Sequence, residues 1–183
     1  MKKSIMYVLL VALVYYILFK SPIPGQIMML DDYVFTYGET YERVWDTYDK
    51  LPPKVKDIFE DNGYRVYVVS LIDDDECIMG QTIIAPRIVL IKNLGVYVER
   101  TMFHECGHIL DDKLAITFIS SSEEFKNIYN EERLQFRADN NVDYYISSTS
   151  EYFASAFSEY MIRPARLRHN TPKTYDFIEQ CLK

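Results

Sequence analysis

The stretch FHECGHIL, residues 103–110, holds two histidines four positions apart with a glutamate directly after the first. On a helix, residues i and i+4 share one face a single turn apart. His104 and His108 can then offer two imidazoles to one metal ion, with Glu105 beside the ion rather than on it. A carboxylate in that place can take a proton from a water that the metal has made acidic, which is the chemistry of a zinc hydrolase. The competing reading is a pair of ordinary histidines on a surface helix. Against it, the chain has only three histidines, and two of them make this motif. The third, His169 in RHNTP, fits no pattern and reads as surface.

The surrounding segment YVERTMFHECGHIL supports the helix. Val98, Met102, Cys106 and Ile109 recur at steps of four, four and three, the apolar stripe of an amphipathic helix. At about 100° per residue the histidines lie nearly opposite Cys106, so Cys106 reads as core and not as a ligand. Gly107 lowers helix stability and invites a close-approach explanation.

Two histidines do not complete a catalytic zinc site, which takes three protein ligands and one open position. A third histidine in the spacing H-E-x-x-H-x-x-G-x-x-H is absent, since Lys113, Leu114 and Ala115 occupy that neighbourhood. A glutamate from a later helix is the natural choice, and SSTSEYFASAFSEYM supplies one. Phe153, Phe157 and Met161 recur every four residues and should face the core. Glu151 shares its face with Ala154, Ser155 and Ser158, side chains small enough for another helix to come close. The bland alternative is that Ser148 and Glu151 form a capping box at a helix start. The spacing supports both. Glu159 is the competing carboxylate, on another face beside Tyr160.

His104-Glu105-Cys106-Gly107-His108, followed by Glu151-Tyr152-Phe153-Ala154-Ser155-Ala156-Phe157, resembles the anthrax lethal factor-like peptidases, a family of gluzincins that includes bacterial Pro-Pro endopeptidases. The family pattern is H-E-x-G-H, a gap of a few tens of residues, then a helix with a glutamate ligand followed by FA-x-x-F. Its catalytic tyrosine lies seven residues before that glutamate, here Tyr144 in NNVDYYISSTSE, with Tyr145 as its neighbour. The tail PKTYDFIEQ is similar to the family's closing helix. The similarity spans residues 50–183, with the motifs mainly in 100–160, and cysteine stands where a bulky apolar residue is commoner. The resemblance implies zinc held by His104, His108 and Glu151, with Glu105 as general base and Tyr144 as a hydrogen-bond donor to the oxyanion. Asp111, one turn after His108, either orients a ligand or, more simply, is a solvated charge at the helix end. Two other functions compete with a zinc endopeptidase acting on a peptide or protein. One is a catalytically inactive, zinc-containing peptide-binding module of the same fold. The other is a structural zinc site, disfavoured because such sites are closed by a fourth ligand. Oligomeric state cannot be read from the sequence.

The elements that must position these residues are those of one domain. With 183 residues the chain can bury a real core. A net charge of −7 and no basic stripe exclude nucleic acid as a partner. Sixteen tyrosines can line a peptide cleft, although amphipathic packing or biased base composition explains them as well. Residues 1–20 read as a signal-anchor or signal peptide. Lys2 and Lys3 precede fifteen apolar residues, Ile5–Phe19, and Lys20 follows. As a helix that run spans roughly 22 Å, short of a bilayer core of about 30 Å, a gap that flanking residues or bilayer thinning can close. FKSPIPGQ lacks an A-x-A-like cleavage site, which favours an uncleaved anchor. The expected placing is a membrane anchor through residues 5–19 with the catalytic domain outside the cytoplasm, or secretion if the segment is cleaved. Residues 21–38 read as a linker and residues 39–183 as the zinc metallopeptidase domain. Three cysteines exclude a fully paired framework; Cys77 with Cys181 is a conceivable bridge.

Within the domain, LPPKVKDIFEDNG predicts a helix, with prolines at its start and Gly63 past its end. YRVYVVSLID predicts a strand, and DDDE at 73–76 a solvated turn. TIIAPRIVLIK predicts a second strand region in which Pro86 marks a bulge or an edge position. After Gly95 the pattern is helical. Strands followed by a run of helices predict an α+β, zincin-like domain: a small N-terminal sheet, then a helical C-terminal half carrying the zinc site.

Overall fold

The computed structural model describes residues 27–29, 38–70, 72, 78–113, 118–140 and 142–183. The apolar run 5–19, most of the 21–38 segment, the acidic stretch 73–76 and Cys77 lie outside the described residues, so the expectations placed on them stand where the sequence left them. Among the described residues no helix is long and apolar enough to cross a membrane.

The architecture is α+β, with the sheet first and the helices after it. Three strands make the body of the sheet: β2 (Arg65–Val69), β3 (Gly80–Ile83) and β4 (Ile88–Lys92). A short strand, β1 (Ile27–Met29), adds to one edge, giving the order β1-β2-β4-β3. β1 therefore falls inside the segment read as a linker. β2 runs parallel to β1 and β4, while β3 runs antiparallel to β4 and forms the other edge. Four of the five β2 residues are buried, as a central parallel strand covered on both faces requires.

The second strand region is corrected by the structure. Residues 82–92 are not one strand but the end of β3, a turn over residues 84–87, and β4. Pro86 sits in that turn, not at a bulge or an edge. Arg87 takes a left-handed backbone (φ 72°) and its N–H bonds to the Ile83 carbonyl at 2.9 Å, which closes the reversal. The apolar residues continue through the turn, so composition alone hides the break.

Helix α1 (Gly38–Asp49) is not announced by any start or stop signal used above, whereas α2 (Pro53–Asp61) is. Its prolines sit in the first turn, and Gly63, at φ 68°, reverses the chain just past its end. From Gly95 onward the chain is helical: α3 (Val98–Lys113), α4 (Glu123–Asn140), α5 (Thr149–Ile162), α6 (Pro164–Asn170) and α7 (Pro172–Leu182), joined in part by 3-10 turns. Phe153 and Phe157 of α5 are fully buried, as their spacing predicts, and Met161 is half-buried against the same core. Aromatic rings from α4, α5 and α7 fill this core, with Phe125 and Phe177 centroids 4.9 Å apart and Phe136 and Tyr152 5.0 Å apart. This packing holds α5 from behind and presents its opposite face to α3. Cys106 is buried in the core, and Cys181 is a buried thiol on α7.

Candidate metal centre

The face that α5 turns toward α3 is made of small residues, and α3 answers with Gly107. A β-carbon built on Gly107 would lie 2.7 Å from Ala154 Cα and 3.1 Å from the Ala154 carbonyl oxygen. Both are backbone atoms, so only glycine lets the two helices meet this closely. Ser158 Oγ adds a bond across the same seam, donating to the Arg100 carbonyl at 3.0 Å.

This contact brings the predicted ligands together. His104 and His108 project from one face of α3 with ring centroids 4.8 Å apart, nearly perpendicular to each other. Glu151 reaches them from the first turn of α5. Its Oε2 lies 3.1 Å from His104 Nε2 and its Oε1 3.5 Å from His108 Nε2. Donor atoms of the three residues all lie within 4.8 Å of one another. The two readings of Ser148-x-x-Glu151 are both half right. Ser148 does cap α5, accepting from the Glu151 N–H at 3.0 Å, but the Glu151 carboxylate turns to the histidines instead of back to the cap. Burial opposes charge on this carboxyl, yet its bonds to His104 and His108 outweigh that and hold it below the ordinary carboxylate value. On His108 burial works against the charged ring, and the neighbouring Glu151 and Glu105 carboxylates more than offset it.

Each imidazole is oriented from its other nitrogen by a serine of α5. Ser155 Oγ lies 3.2 Å from His104 Nδ1. Ser150 Oγ lies 3.4 Å from His108 Nδ1 and donates to Asp111 Oδ2 at 3.0 Å. With its hydroxyl hydrogen donated to Asp111, Ser150 has a lone pair left for the His108 Nδ1–H, which leaves Nε2 as the atom available to a metal ion. The donor set therefore fits a metal ion: two Nε2 atoms and a carboxylate converge, and the Ser150–Asp111 pair holds His108 in the tautomer that ligation needs. Of the two readings of Asp111, the solvated charge is overturned. The residue is fully buried, and it accepts from the Ser120 N–H at 2.7 Å and the Ser120 hydroxyl at 2.8 Å. Burial raises its pKa, and the serine bonds pull the other way. Residues 118–121 fold back over the helix end and supply those donors, which no local pattern foretells.

Glu105 lies beside the cluster and is 3% exposed. Thr82 of β3 holds it: Thr82 Oγ1 lies 2.7 Å from Glu105 Oε2 and 3.2 Å from the Glu105 carbonyl. β3 can come this close because Gly80 has no side chain; a β-carbon there would meet Thr101 Cγ2 at 2.4 Å and Glu105 Oε1 at 2.7 Å. Glu159, the other carboxylate considered, is buried away from the histidines and bonds to Arg100 and Arg163, each at 2.6 Å. His169 is exposed.

A cleft of about 830 Å³ runs along β3 and over the cluster. Tyr144 and Tyr145 stand on its wall, both on the 3-10 turn Asp143–Ile146. The neighbours part ways. Tyr144 is 58% exposed; desolvation and the negative charge of nearby Glu151 push its phenol above the ordinary pKa. Tyr145 interacts instead with Arg100. Both rings lie close to His104, at 6.5 and 6.3 Å between centroids. The turn is tied to α4, where Tyr129 donates to the Ile146 carbonyl at 2.7 Å and Arg137 pairs with Asp143. Thr82, Ser150, Ser155 and Gly80 were not singled out as site residues in the sequence. Ser155 carried a signal, as a small residue on the Glu151 face, and Thr82 carried none.

The family described as "Anthrax toxin lethal factor, N- and C-terminal domain" matches residues 70–181. No curated protein sequence matches the chain. Among solved structures, the chain is similar to the Pro-Pro endopeptidase PPEP-2 from Paenibacillus alvei, with a TM-score of 0.58 and 18% identity over 84% of this chain and 96% of that one. At that identity the likeness speaks for the fold.

Proposed function

The chain belongs to the anthrax toxin lethal factor family, and from that premise we propose that it is a zinc-dependent endopeptidase. The observation that carries the proposal is the convergence of His104, His108 and Glu151 beside a buried Glu105, all lining one open cleft. His104, His108 and Glu151 would hold the zinc. When bound, zinc polarises the scissile carbonyl and makes water acidic enough to attack near neutral pH. Glu105 takes the proton of the attacking water and returns it to the leaving amine. Thr82 fixes the Glu105 carboxylate in place for both transfers. Tyr144 donates a hydrogen bond to the carbonyl oxygen as it gains charge. The edge strand β3 lies along the cleft with no described strand on its outer side, which suits an extended peptide added to the sheet. The name of the structural relative makes peptides with paired prolines the first substrates to try.

A protein that kept the fold and the metal only to bind peptides would have no use for a general base. The test is therefore Glu105→Ala in the zinc-loaded chain. Zinc content should be unchanged and peptide cleavage should fall by about 10²–10⁴-fold. Cleavage at the unsubstituted rate would place the base elsewhere, and absence of cleavage by the unsubstituted chain on every peptide tried would favour the binding module. The proposal extends to location: residues 5–19 anchor the chain and the peptidase domain works outside the cytoplasm. A reporter fused to the C-terminus should be active only on the exported side, and a cytoplasmic signal would refute that topology.

A further inference from the structure

The cleft is apolar along most of its length, walled by Ile78, Met79, Ile84, Tyr97, Phe118 and Val142 among others. Among the described lining residues outside the cluster that would hold the metal and move the proton, one charged side chain faces it, Arg100. It is not a loose surface arginine. Its Nη1 lies 2.6 Å from Glu159 Oε1, and that carboxylate is 2% exposed. Glu159 is already matched by Arg163, whose Nη2 lies 2.6 Å from the same oxygen. One buried carboxylate thus serves two guanidiniums, and the group keeps a surplus positive charge. Tyr145 lines the same cleft beside Arg100. A guanidinium has five N–H donors in a rigid fork, so these contacts leave some of them for the cleft.

We infer that Arg100 is a specificity-determining residue of this peptidase, and that it binds the carboxylate of an aspartate or glutamate in the substrate. The position follows from the helix. Arg100 precedes His104 by four residues, about 6 Å along the axis. An extended peptide covers that distance in about two residues, and an arginine side chain leaning toward the helix start adds a little more. The preferred acid therefore lies two to three residues from the bond that is cut. The anchoring by Glu159 holds the guanidinium in place before substrate arrives, which reduces the ordering cost of the contact.

This inference rests on the endopeptidase reading, and the experiment separates the two. Full-length, zinc-loaded protein is incubated with a random ten-residue peptide library, and cut sites are read by mass spectrometry. The expected profile favours Asp or Glu over Asn or Gln by about tenfold or more at one position two to three residues from the cut. Arg100→Gln should lose that preference and still cut sequences without acids. Arg100→Lys should keep a weaker preference, and decides the matter if Arg100→Gln does not fold. A profile without acidic preference, a preference that survives in Arg100→Gln, or an equal fall for all sequences would overturn the proposal; an equal fall is what a mere clamp on Tyr145 would give. If the unsubstituted chain cuts nothing, the endopeptidase reading fails, and the same library is then captured on Glu105→Ala protein and the retained peptides are sequenced. Acid enrichment that disappears in the Glu105→Ala/Arg100→Gln double variant would still support Arg100 as the recognition residue, and no enrichment would overturn it.

Discussion

The floor and the wall of the cleft are built in different ways. The floor is α3 against α5, with backbone in contact at Gly107 and Ala154 and each histidine held by a serine. The wall that carries Tyr144 is a 3-10 turn of four residues, exposed at its tip and tied to α4 by a few side-chain contacts. The floor is stiff because main-chain atoms set its spacing and no side chain can rotate to relieve a change. The wall is adjustable because its key hydroxyl stands at the end of a long, partly exposed ring. Metal binding should therefore depend on the floor alone, and rate should depend on both. Substitutions can test that division.

The largest effect is expected at Gly107, where a single methyl group separates the helices. Alanine would gain about 1 kcal/mol of helix propensity, but overpacking against fixed backbone costs about 1–3 kcal/mol, and α5 must move outward. That displacement carries Glu151, Ser150 and Ser155 away from the histidines together. Gly107→Ala should lower Tm by several degrees and lose most of the bound zinc, measured by calorimetry and elemental analysis. A variant with ordinary Tm and full zinc would show that the floor is as adjustable as the wall.

Tyr144→Phe probes the other side. Its hydroxyl would meet charge that develops only in the transition state, so its loss should lower kcat by about 10- to 1000-fold with KM little changed. Zinc content and Tm should stay nearly as they were, because Glu151 keeps its contacts with both His104 and His108. Tyr145 interacts with Arg100 and not with Glu151, so Tyr145→Phe should change kcat far less. Loss of zinc in Tyr144→Phe would break the division between the two regions. A reversed order of the two tyrosines would move the oxyanion donor by one residue.

Asp111→Asn returns to the floor with a smaller change. The Ser120 N–H, the Ser120 hydroxyl and the Ser150 hydroxyl all point at this carboxylate. An amide offers one oxygen to three donors, so at least one donor loses its partner, a cost of about 1–3 kcal/mol. Ser150 is then free to reorient away from His108. Zinc affinity should fall by about 10- to 100-fold, as for other groups that orient a ligand, with kcat at saturating zinc nearly unchanged. Unchanged affinity would mean that Ser150 holds His108 without help from Asp111.

The floor was also the part most legible in the sequence. His104, His108 and Cys106 are placed by a local period, and Gly107 and the small face around Glu151 announce a close helix contact. The wall was legible only through family resemblance, since nothing local ranks Tyr144 above Tyr145. What stayed hidden were pairings between distant segments. Thr82 meets Glu105 across 23 residues and Ser150 meets Asp111 across 39. Asp111 read as solvated because a buried aspartate needs donors, and those donors come from a turn that folds back. The β3–β4 turn stayed hidden because Ile83, Ile84, Ile88 and Val89 keep the run apolar on both sides of it.

The smallest expected effect is the most selective test of the floor. Ser155 and Ser158 both lie on the α5 face that meets α3, and both are almost fully buried. Ser155 touches His104 Nδ1 at 3.2 Å, whereas Ser158 donates to the Arg100 carbonyl at 3.0 Å and touches no ligand. Replacing either by alanine removes one oxygen and leaves the helix contact its small side chain. The two variants should thus lose similar stability, about 1 kcal/mol each. They should differ at the metal. Ser155→Ala leaves the His104 ring without its orienting partner, and zinc affinity should fall by about tenfold at the low end for such groups. Ser158→Ala should bind zinc as before. Affinities measured by competition with a chromogenic chelator would separate the two. Equal affinities in both variants would mean that helix spacing alone orients His104, and that the serine contact adds nothing to a floor the backbone has already set.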